Sequence, residues 1–114
     1  MFAGAKHLDN LCVIVDNNNL QIDGAVSDVM SPYPIDEKFA AFGLFVQTVD
    51  GHNFDAIDAA VKRAEQEKGR PSAIVLKTVK GKGVSFMENQ VGWHGKAPND
   101  AEYEQGMKEL EEVR

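Results

Sequence analysis

The 114-residue sequence has a single cysteine, no long apolar run and fewer basic than acidic residues. One cysteine cannot form a disulfide within the chain, which suits a reducing compartment. No segment is apolar for long enough to cross a bilayer, and no charged-then-apolar leader opens the sequence. A net charge of −6 argues against a general surface for nucleic acid or anionic membranes. We therefore expect a cytoplasmic protein with no nucleic-acid or membrane partner.

Four consecutive Asp and Asn residues, 16–19, end the apolar run Leu11–Val15. These residue types interrupt strands because their side chains compete for backbone hydrogen bonds and tolerate turn conformations. The pattern predicts a buried strand that delivers oxygen ligands to its carboxyl end, where open α/β sheets bind ligands. Mg²⁺ and Ca²⁺ take oxygen ligands of this kind. Asn-rich turns that bind nothing are also common, so the segment alone leaves both interpretations open.

A second polar segment, Lys77–Gly83, follows the apolar run Ala73–Leu76. Its glycines allow close backbone approach and its lysines supply positive charge, so the segment could hold a phosphate. The spacing of a P-loop is absent, and the pattern equally permits a solvated basic loop. Further along the chain comes Trp93–Pro98, which contains His94.

Hydrophobic periodicity and capping residues predict alternating helices and strands. The expected strands are residues 11–16, 44–49 and 73–77, and Cys12 is expected to be buried in the first of them. Residues 1–8 are expected to be the end of a helix, and a short helix is expected with Asp36 as its cap and Gly43 as its stop. A third helix is expected after Asn53, and a last one is expected to begin with a capping box of Asn99 and Glu102. This alternation predicts an α/β fold with a short parallel sheet of about three strands flanked by helices. Because so few elements cannot cover both faces and edges of a sheet, we expect a truncated domain.

Several ordered motifs resemble transketolase, in the version that bacteria divide into two subunits: DNNNLQIDG, DGHNFDAI and KTVKGKGVSFMENQVGWHGKAPND. The resemblance runs along essentially the whole chain and is to the second half of the N-terminal, thiamine-diphosphate-binding domain. It implies part of that domain's three-layer fold, and a transferase of the pentose phosphate pathway that moves a two-carbon ketol unit between sugar phosphates. It also implies thiamine diphosphate with Mg²⁺ or Ca²⁺ as cofactors. The partners that it implies are the C-terminal subunit or the remainder of the chain, and further copies in a homo-oligomer.

By that resemblance, five residues form a cofactor site. Asn18 would supply a side-chain oxygen to the metal, and Leu20 its backbone carbonyl. Ile22 would pack near the thiazolium ring, with an ordinary core position as the alternative. Lys80 would act as a point charge beside the diphosphate. His94 would be the catalytic residue, lying between diphosphate and substrate and managing protons on substrate hydroxyls.

Four other polar residues are expected to have structural roles. His7 lies near a helix end, and His52 precedes a helix and would serve the turn there. Asp16 and Asp23 flank the asparagine segment and would support its turn through side-chain hydrogen bonds.

The chain departs from the family pattern by lacking a Gly-Asp-Gly motif, whose Asp is a metal ligand, and the pyrimidine-binding domain. We therefore expect it to be inactive alone. Two alternatives stay open: a piece of an enzyme like 1-deoxyxylulose-5-phosphate synthase, which also uses thiamine diphosphate, and a non-catalytic truncated domain that self-associates through exposed sheet edges. The segment Trp93–Pro98, following GKGVSFMEN, favours transketolase.

Overall fold

The computed structural model describes residues 1–112, which form a mixed α/β protein. Its helices are α1 Phe2–Ala5, α2 Val26–Val29, α3 Ile35–Ala41, α4 Phe54–Gln66 and α5 Asp100–Glu112, and a 3-10 turn spans Val91–His94. Its strands are β1 Cys12–Asn17, β2 Leu20–Gln21, β3 Gly24–Ala25, β4 Phe45–Asp50 and β5 Ser72–Lys77. The chain divides into two compact units: unit 1 contains residues 1–17 and 32–78, and unit 2 contains residues 18–31 and the described residues from 79 onward.

Unit 1 contains a parallel sheet in the order β1–β5–β4. The central strand β5 pairs with β1 from Cys12 opposite Ser72 to Asn17 opposite Lys77, and with β4 from Phe45 opposite Ser72. Helices α3 and α4 pack against β4 and β5. The predicted fold class, a three-stranded parallel sheet flanked by helices, is confirmed.

The core of unit 1 is small and lies where α4 meets β5. Its buried members are Ala60, Ala64 and Ile74, and the half-buried residues packed against them are Val49, Val61 and Leu76. A polar side chain, Gln47, is also buried, and its Nε2 donates to the Ala60 carbonyl at 2.8 Å. Its Oε1 accepts from Arg63 Nε at 2.5 Å, so both ends of the amide are paired.

Strand β1 lies at the edge of this sheet, so the prediction of a buried first strand is wrong. Ile14 is 59% exposed, and Cys12 is exposed as well, against the expectation of burial. The strand alternates between exposed and half-buried side chains, whereas the first four residues of β5 are all buried. The difference is one of position, because β5 has a neighbouring strand on both sides and β1 on one.

Two predicted helix starts are confirmed. The Asn53 side chain accepts a hydrogen bond from Ala56 N–H at 3.0 Å at the start of α4. At the start of α5, Glu102 N–H donates to Asn99 Oδ1 and Asn99 N–H donates to Glu102 Oε2, each at 2.9 Å. These reciprocal bonds form the expected capping box. No helix within residues 1–112 has the length and apolar character to span a membrane.

The predicted cap of the short helix is wrong at one end and confirmed at the other. Helix α3 begins at Ile35, so Asp36 lies inside its first turn, where Oδ1 accepts from Glu37 N–H at 3.0 Å. Gly43 follows the end of the helix with a φ of +85°, a conformation that glycine adopts without a steric penalty.

Unit 2 contains a two-stranded antiparallel hairpin, β2–β3, together with α2, the 3-10 turn and α5. In the hairpin, Leu20 lies opposite Ala25 and Gln21 opposite Gly24. Strand β2 contacts the 3-10 turn. The hairpin is a feature that the sequence pattern did not predict.

Candidate functional site

The asparagine segment turns around the side chain of Asn18. Its Oδ1 accepts a hydrogen bond from Leu20 N–H at 2.9 Å, which closes an Asx turn. Asn19 has a φ of +63°, a left-handed conformation that asparagine tolerates better than most residues, and its carbonyl accepts from Val26 N–H at 2.9 Å. The polar composition of the segment therefore has a local structural cause, and the turn keeps Asn18 and Leu20 close together.

The first two residues of the Asp/Asn run, Asp16 and Asn17, belong to unit 1, and their side chains form hydrogen bonds outside the turn. The Thr78 hydroxyl donates to Asp16 Oδ1, and the Tyr33 hydroxyl donates to Asn17 Oδ1 at 2.8 Å. Asp16 thus ties the end of β1 to the end of β5, in place of the predicted support for the turn. Asp23 lies in the turn between β2 and β3.

Lys80 belongs to a loop, residues 79–90, that closes on itself. Asn89 N–H donates to the Lys80 carbonyl at 3.0 Å. Gly81 has a φ of +71°, and a Cβ at this position would lie 2.6 Å from the carbonyl oxygen of Met87. Both the conformation and the close approach require glycine. The loop therefore fixes the backbone from which the Lys80 side chain extends.

His94 is exposed and is the last residue of the 3-10 turn. The preceding residue, Trp93, is half-buried, and its Nε1 donates to the Phe86 carbonyl at 3.0 Å. The Trp93 and Phe86 rings pack with centroids 5.4 Å apart, and Lys96 Nζ lies 4.1 Å from the centroid of the Trp93 ring. Within residues 1–112, no group makes a hydrogen bond to the His94 imidazole.

Asn18, Leu20, Gln21, Lys80 and His94 line one cavity of about 130 Å³ in unit 2. Four of the five predicted site residues therefore come together, although Lys80 and His94 lie far from Asn18 and Leu20 in the sequence. Gln21 is a lining residue that the sequence analysis missed. The sequence gives no clear signal for it, because a strand of two residues is too short to show an alternating pattern.

Ile22 does not line this cavity. It lies in the turn between β2 and β3, and its side chain is 65% exposed. A core position, the alternative considered for it, is therefore wrong. Contact with a thiazolium ring stays a prediction for this residue.

The lining groups suit a small anion held together with a hard cation. An amide oxygen has two lone pairs, so Asn18 Oδ1 keeps one for a cation while it accepts from Leu20 N–H. Lys80 brings positive charge, and the His94 imidazole brings two ring nitrogens that can form hydrogen bonds. Within residues 1–112, no three His, Cys, Asp or Glu side chains cluster in a way that could hold a metal ion. A cation in this cavity would need further oxygen ligands, such as those of a phosphate.

The size of the cavity limits what it can enclose. About 130 Å³ lies below the roughly 300–1,000 Å³ of a complete small-molecule site. The cavity therefore fits one end of a larger ligand.

The two other histidines lie in unit 1 and serve the backbone. The His7 Nδ1 hydrogen-bonds the Gly69 carbonyl at 2.9 Å, and Gly69 N–H donates to Asp9 Oδ2 at 3.1 Å. His52 N–H donates to Asp50 Oδ1 at 2.9 Å in the turn before α4. His7 therefore has a structural role, although at Gly69 and not at a helix end, and the backbone of His52 takes part in the turn where it was expected.

Residues 1–111 match the family described as transketolase, thiamine diphosphate binding domain. Among curated proteins, the chain is 41% identical over 111 residues to the 6-deoxy-6-sulfo-D-fructose transketolase subunit SqwG of a Clostridium species, covering 97% of this chain and 40% of that protein. It is 35% identical over 110 residues to an apulose-4-phosphate transketolase subunit of Actinobacillus succinogenes, covering 96% of this chain and 40% of that protein. The chain thus spans about 40% of the length of these relatives.

Among solved structures, transketolase from Campylobacter jejuni superposes with a TM-score of 0.89 at 27% identity, covering 96% of this chain and 17% of that one. A transketolase from Pichia stipitis, in complex with sedoheptulose-7-phosphate, superposes with a TM-score of 0.88 at 23% identity, covering 96% of this chain and 16% of that one. The second likeness is one of fold alone.

Proposed function

Because this chain belongs to the transketolase family, through its thiamine diphosphate binding domain, we propose that the cavity in unit 2 holds the diphosphate end of that cofactor with its metal ion, Mg²⁺ or Ca²⁺. The supporting observation is the shared lining of Asn18, Leu20, Lys80 and His94. The Asn18 amide oxygen and the Leu20 carbonyl are the proposed metal ligands, and Lys80 offsets the charge of the diphosphate. The remaining ligands come from the diphosphate oxygens and from residues outside this chain.

When bound, thiamine diphosphate supplies the thiazolium carbon that carries a two-carbon ketol unit between sugars. His94 donates a proton to a substrate hydroxyl or accepts one from it, and its exposure leaves it accessible to a substrate. Gln21 adds an amide, which can both donate and accept a hydrogen bond, to the wall of the same cavity. Ile22 contributes an exposed apolar side chain at the neighbouring turn, suited to packing against the cofactor ring.

We further propose that this chain works as part of a larger transketolase assembly in the cytoplasm, with a partner subunit, and that it is inactive alone. The two curated relatives are named as subunits, and the sugars in their names carry a sulfonate or a phosphate. The proposed substrates are therefore ketoses and aldoses with an anionic group at the end distant from the reacting carbon. A place in the pentose phosphate pathway and one in a sulfo-sugar pathway are both consistent with this chemistry.

Calorimetry of the 114-residue chain with inorganic pyrophosphate, and then with thiamine diphosphate, each with Mg²⁺, tests the cofactor site. Asn18→Ala and Lys80→Met should each weaken binding about tenfold or more, equivalent to about 1.4 kcal/mol. Asn10→Ala and Lys108→Met remove the same residue types from exposed positions outside the cavity and should leave binding unchanged. Equal affinities across all four variants would refute the site.

The proposed inactivity is tested by adding thiamine diphosphate and Mg²⁺ to the chain and following ketol transfer. Turnover clearly above that of a His94→Ala variant would contradict it. Product analysis with a partner subunit present and glyceraldehyde phosphate as acceptor separates the two enzymes. Use of a ketose phosphate as the donor indicates transketolase, and use of pyruvate indicates an enzyme like 1-deoxyxylulose-5-phosphate synthase.

The edge position of β1 favours one further property, association between copies of this chain. Within residues 1–112, no strand pairs with the outer side of β1, and Ile14 is exposed on its surface, as on aggregation-prone edges. Light scattering should give a mass above that of the monomer, and Ile14→Lys should lower it, because a lysine on an edge strand opposes pairing. A monomer at all accessible concentrations would exclude the homo-oligomer.

A further inference from the structure

The turn that carries His94 is held by a backbone hydrogen bond from Trp93 N–H to the Gln90 carbonyl at 3.3 Å and by contact with β2, and its two glycines add no side-chain packing. Gly92 and Gly95 flank the pair Trp93–His94, and a Cβ at either glycine would meet nothing within 4 Å. Glycines in open space leave the backbone free to adopt many conformations. The imidazole itself is exposed and has no hydrogen-bond partner within the described chain. The imidazole therefore has no polar contact of its own within the described residues to fix its orientation.

Trp93 has the contacts that His94 lacks. Its indole N–H donates to the Phe86 carbonyl at 3.0 Å, and its ring packs against the Phe86 ring. On the ring, the Lys96 ammonium lies 4.1 Å from the centroid, within the range of a cation–π interaction. These contacts fix the indole by a directional bond, an aromatic neighbour and a cation.

The cation is itself held by α5. Lys96 Nζ lies 2.8 Å from Glu102 Oε1, and the second oxygen of this carboxylate accepts from Asn99 N–H in the capping box. A chain of contacts thus runs from the capped start of α5, through Lys96, to the Trp93 ring. The first turn of the helix and the site turn are connected through one aromatic side chain.

We propose that Trp93 is a positioning residue that holds His94 in the orientation in which it lines the cavity with Asn18 and Lys80. The proposal rests on the proposed function for the task of His94, whereas the holding itself is a property of the chain without ligand. Since Trp93 and His94 are adjacent, a fixed indole restricts the movement of the backbone from which the imidazole extends. Without the indole, the two glycines allow the whole turn to move away.

NMR relaxation of the ligand-free, full 114-residue chain tests the holding directly. The readouts are the heteronuclear NOE of the His94 amide and the carbon relaxation of its imidazole, with the amide signals of α5 as a check on folding. In the native sequence His94 should relax like ordered backbone. Trp93→Ala should shift both readouts to the values of a flexible loop, while the α5 signals stay native.

Two milder variants separate the contacts. Trp93→Phe keeps a ring for Phe86 and Lys96 but loses the N–H bond, and should restore most of the order at His94. Lys96→Met removes the cation alone and should give an intermediate loss. These variants also test the proposal if Trp93→Ala disturbs α5. Unchanged relaxation at His94 in Lys96→Met, or in Trp93→Ala with native α5 signals, would overturn the proposal.

Binding of inorganic pyrophosphate with Mg²⁺ provides the second measurement. Trp93→Ala should weaken binding by the same factor as His94→Ala, and Trp93→Phe should recover it. If the native chain binds no pyrophosphate but its His94 loses order in Trp93→Ala, the cofactor site fails and the positioning stands. If the native chain binds pyrophosphate and His94→Ala weakens that binding, but His94 stays ordered in Trp93→Ala, the positioning fails and the cofactor site stands.

Discussion

Units 1 and 2 are stabilised in different ways. Unit 1 is held by parallel strand pairing and by a small apolar core of Ala60, Ala64 and Ile74. In the described part of unit 2, the buried residues are Val84 and Gly106, and the loops are shaped by hydrogen bonds from side chains to backbone and by close backbone contacts. A substitution in unit 1 should therefore act through lost burial, and one in unit 2 through altered loop geometry.

This contrast separates stability from the site. The candidate cavity is lined entirely by unit 2 residues, which contribute little apolar burial. Variants of the unit 1 core should unfold the chain without a specific effect on ligand affinity in the molecules that remain folded. Variants of the unit 2 loops should change affinity at a smaller cost in stability.

The largest effect is expected from Ile74→Ala in the core of unit 1. Ile74 is 1% exposed, and loss of a buried isoleucine costs about 2–5 kcal/mol through lost burial and the cavity left behind. Ile14→Ala removes the same atoms from a side chain that is 59% exposed and should cost much less. Urea unfolding followed by circular dichroism compares the two. Similar losses would mean that the β1 surface is covered in solution.

A smaller effect is expected from Gly81→Ala, with Gly69→Ala as its matched control. Both glycines have positive φ, but a Cβ meets the Met87 carbonyl at 2.6 Å in the first and nothing within 4 Å in the second. Gly69→Ala should cost about 1–2 kcal/mol from the backbone conformation alone. Gly81→Ala should lower the free energy of unfolding by more than this, and it should also weaken pyrophosphate binding because it displaces Lys80. Urea unfolding measures the first effect and calorimetry the second. A larger loss of stability in Gly69→Ala would contradict the close contact.

The smallest effect is expected from Glu102→Gln, as a change in how stability depends on pH in the acid range. A hydrogen bond from Lys96 and another from the Asn99 backbone lower the pKa of this carboxyl below its usual range. Its contribution to folding is therefore present above the unfolded-state pKa and is lost as the pH falls through the lower, folded-state pKa. The stability difference between the native chain and Glu102→Gln should shrink on acidification. Glu111→Gln, an exposed position on the same helix, is the control, and equal pH profiles for the two variants would exclude the effect.

The alternation of elements could be predicted from the sequence, but their burial could not. The runs Leu11–Val15 and Ala73–Leu76 have similar apolar composition, and both form strands. One lies at the edge of the sheet and the other at its centre, which depends on which strands pair. A pattern within one segment does not contain that information. The error for Cys12 follows from the same cause.

The site was predictable to the extent that it depends on local chemistry and family resemblance. Asn18, Leu20, Lys80 and His94 can be named from their motifs, and they line one cavity. Gln21 was missed because a strand of two residues is too short for periodicity to reveal.

The partner of Asp16 could not be predicted either. Its carboxylate is paired with Thr78, 62 positions along the chain, and that pairing exists only once β1 and β5 are adjacent. Local turn rules apply to neighbours in sequence and do not reach such contacts.

The exposed Cys12 gives the protein a built-in attachment point for a chemical label, since it is the only thiol of the chain and lies at the start of β1. Partial burial raises the pKa of this thiol, so its modification by maleimide should accelerate towards alkaline pH as more thiolate forms. A fluorophore coupled to Cys12 would report, without any mutation, when another polypeptide covers the edge of the sheet at β1.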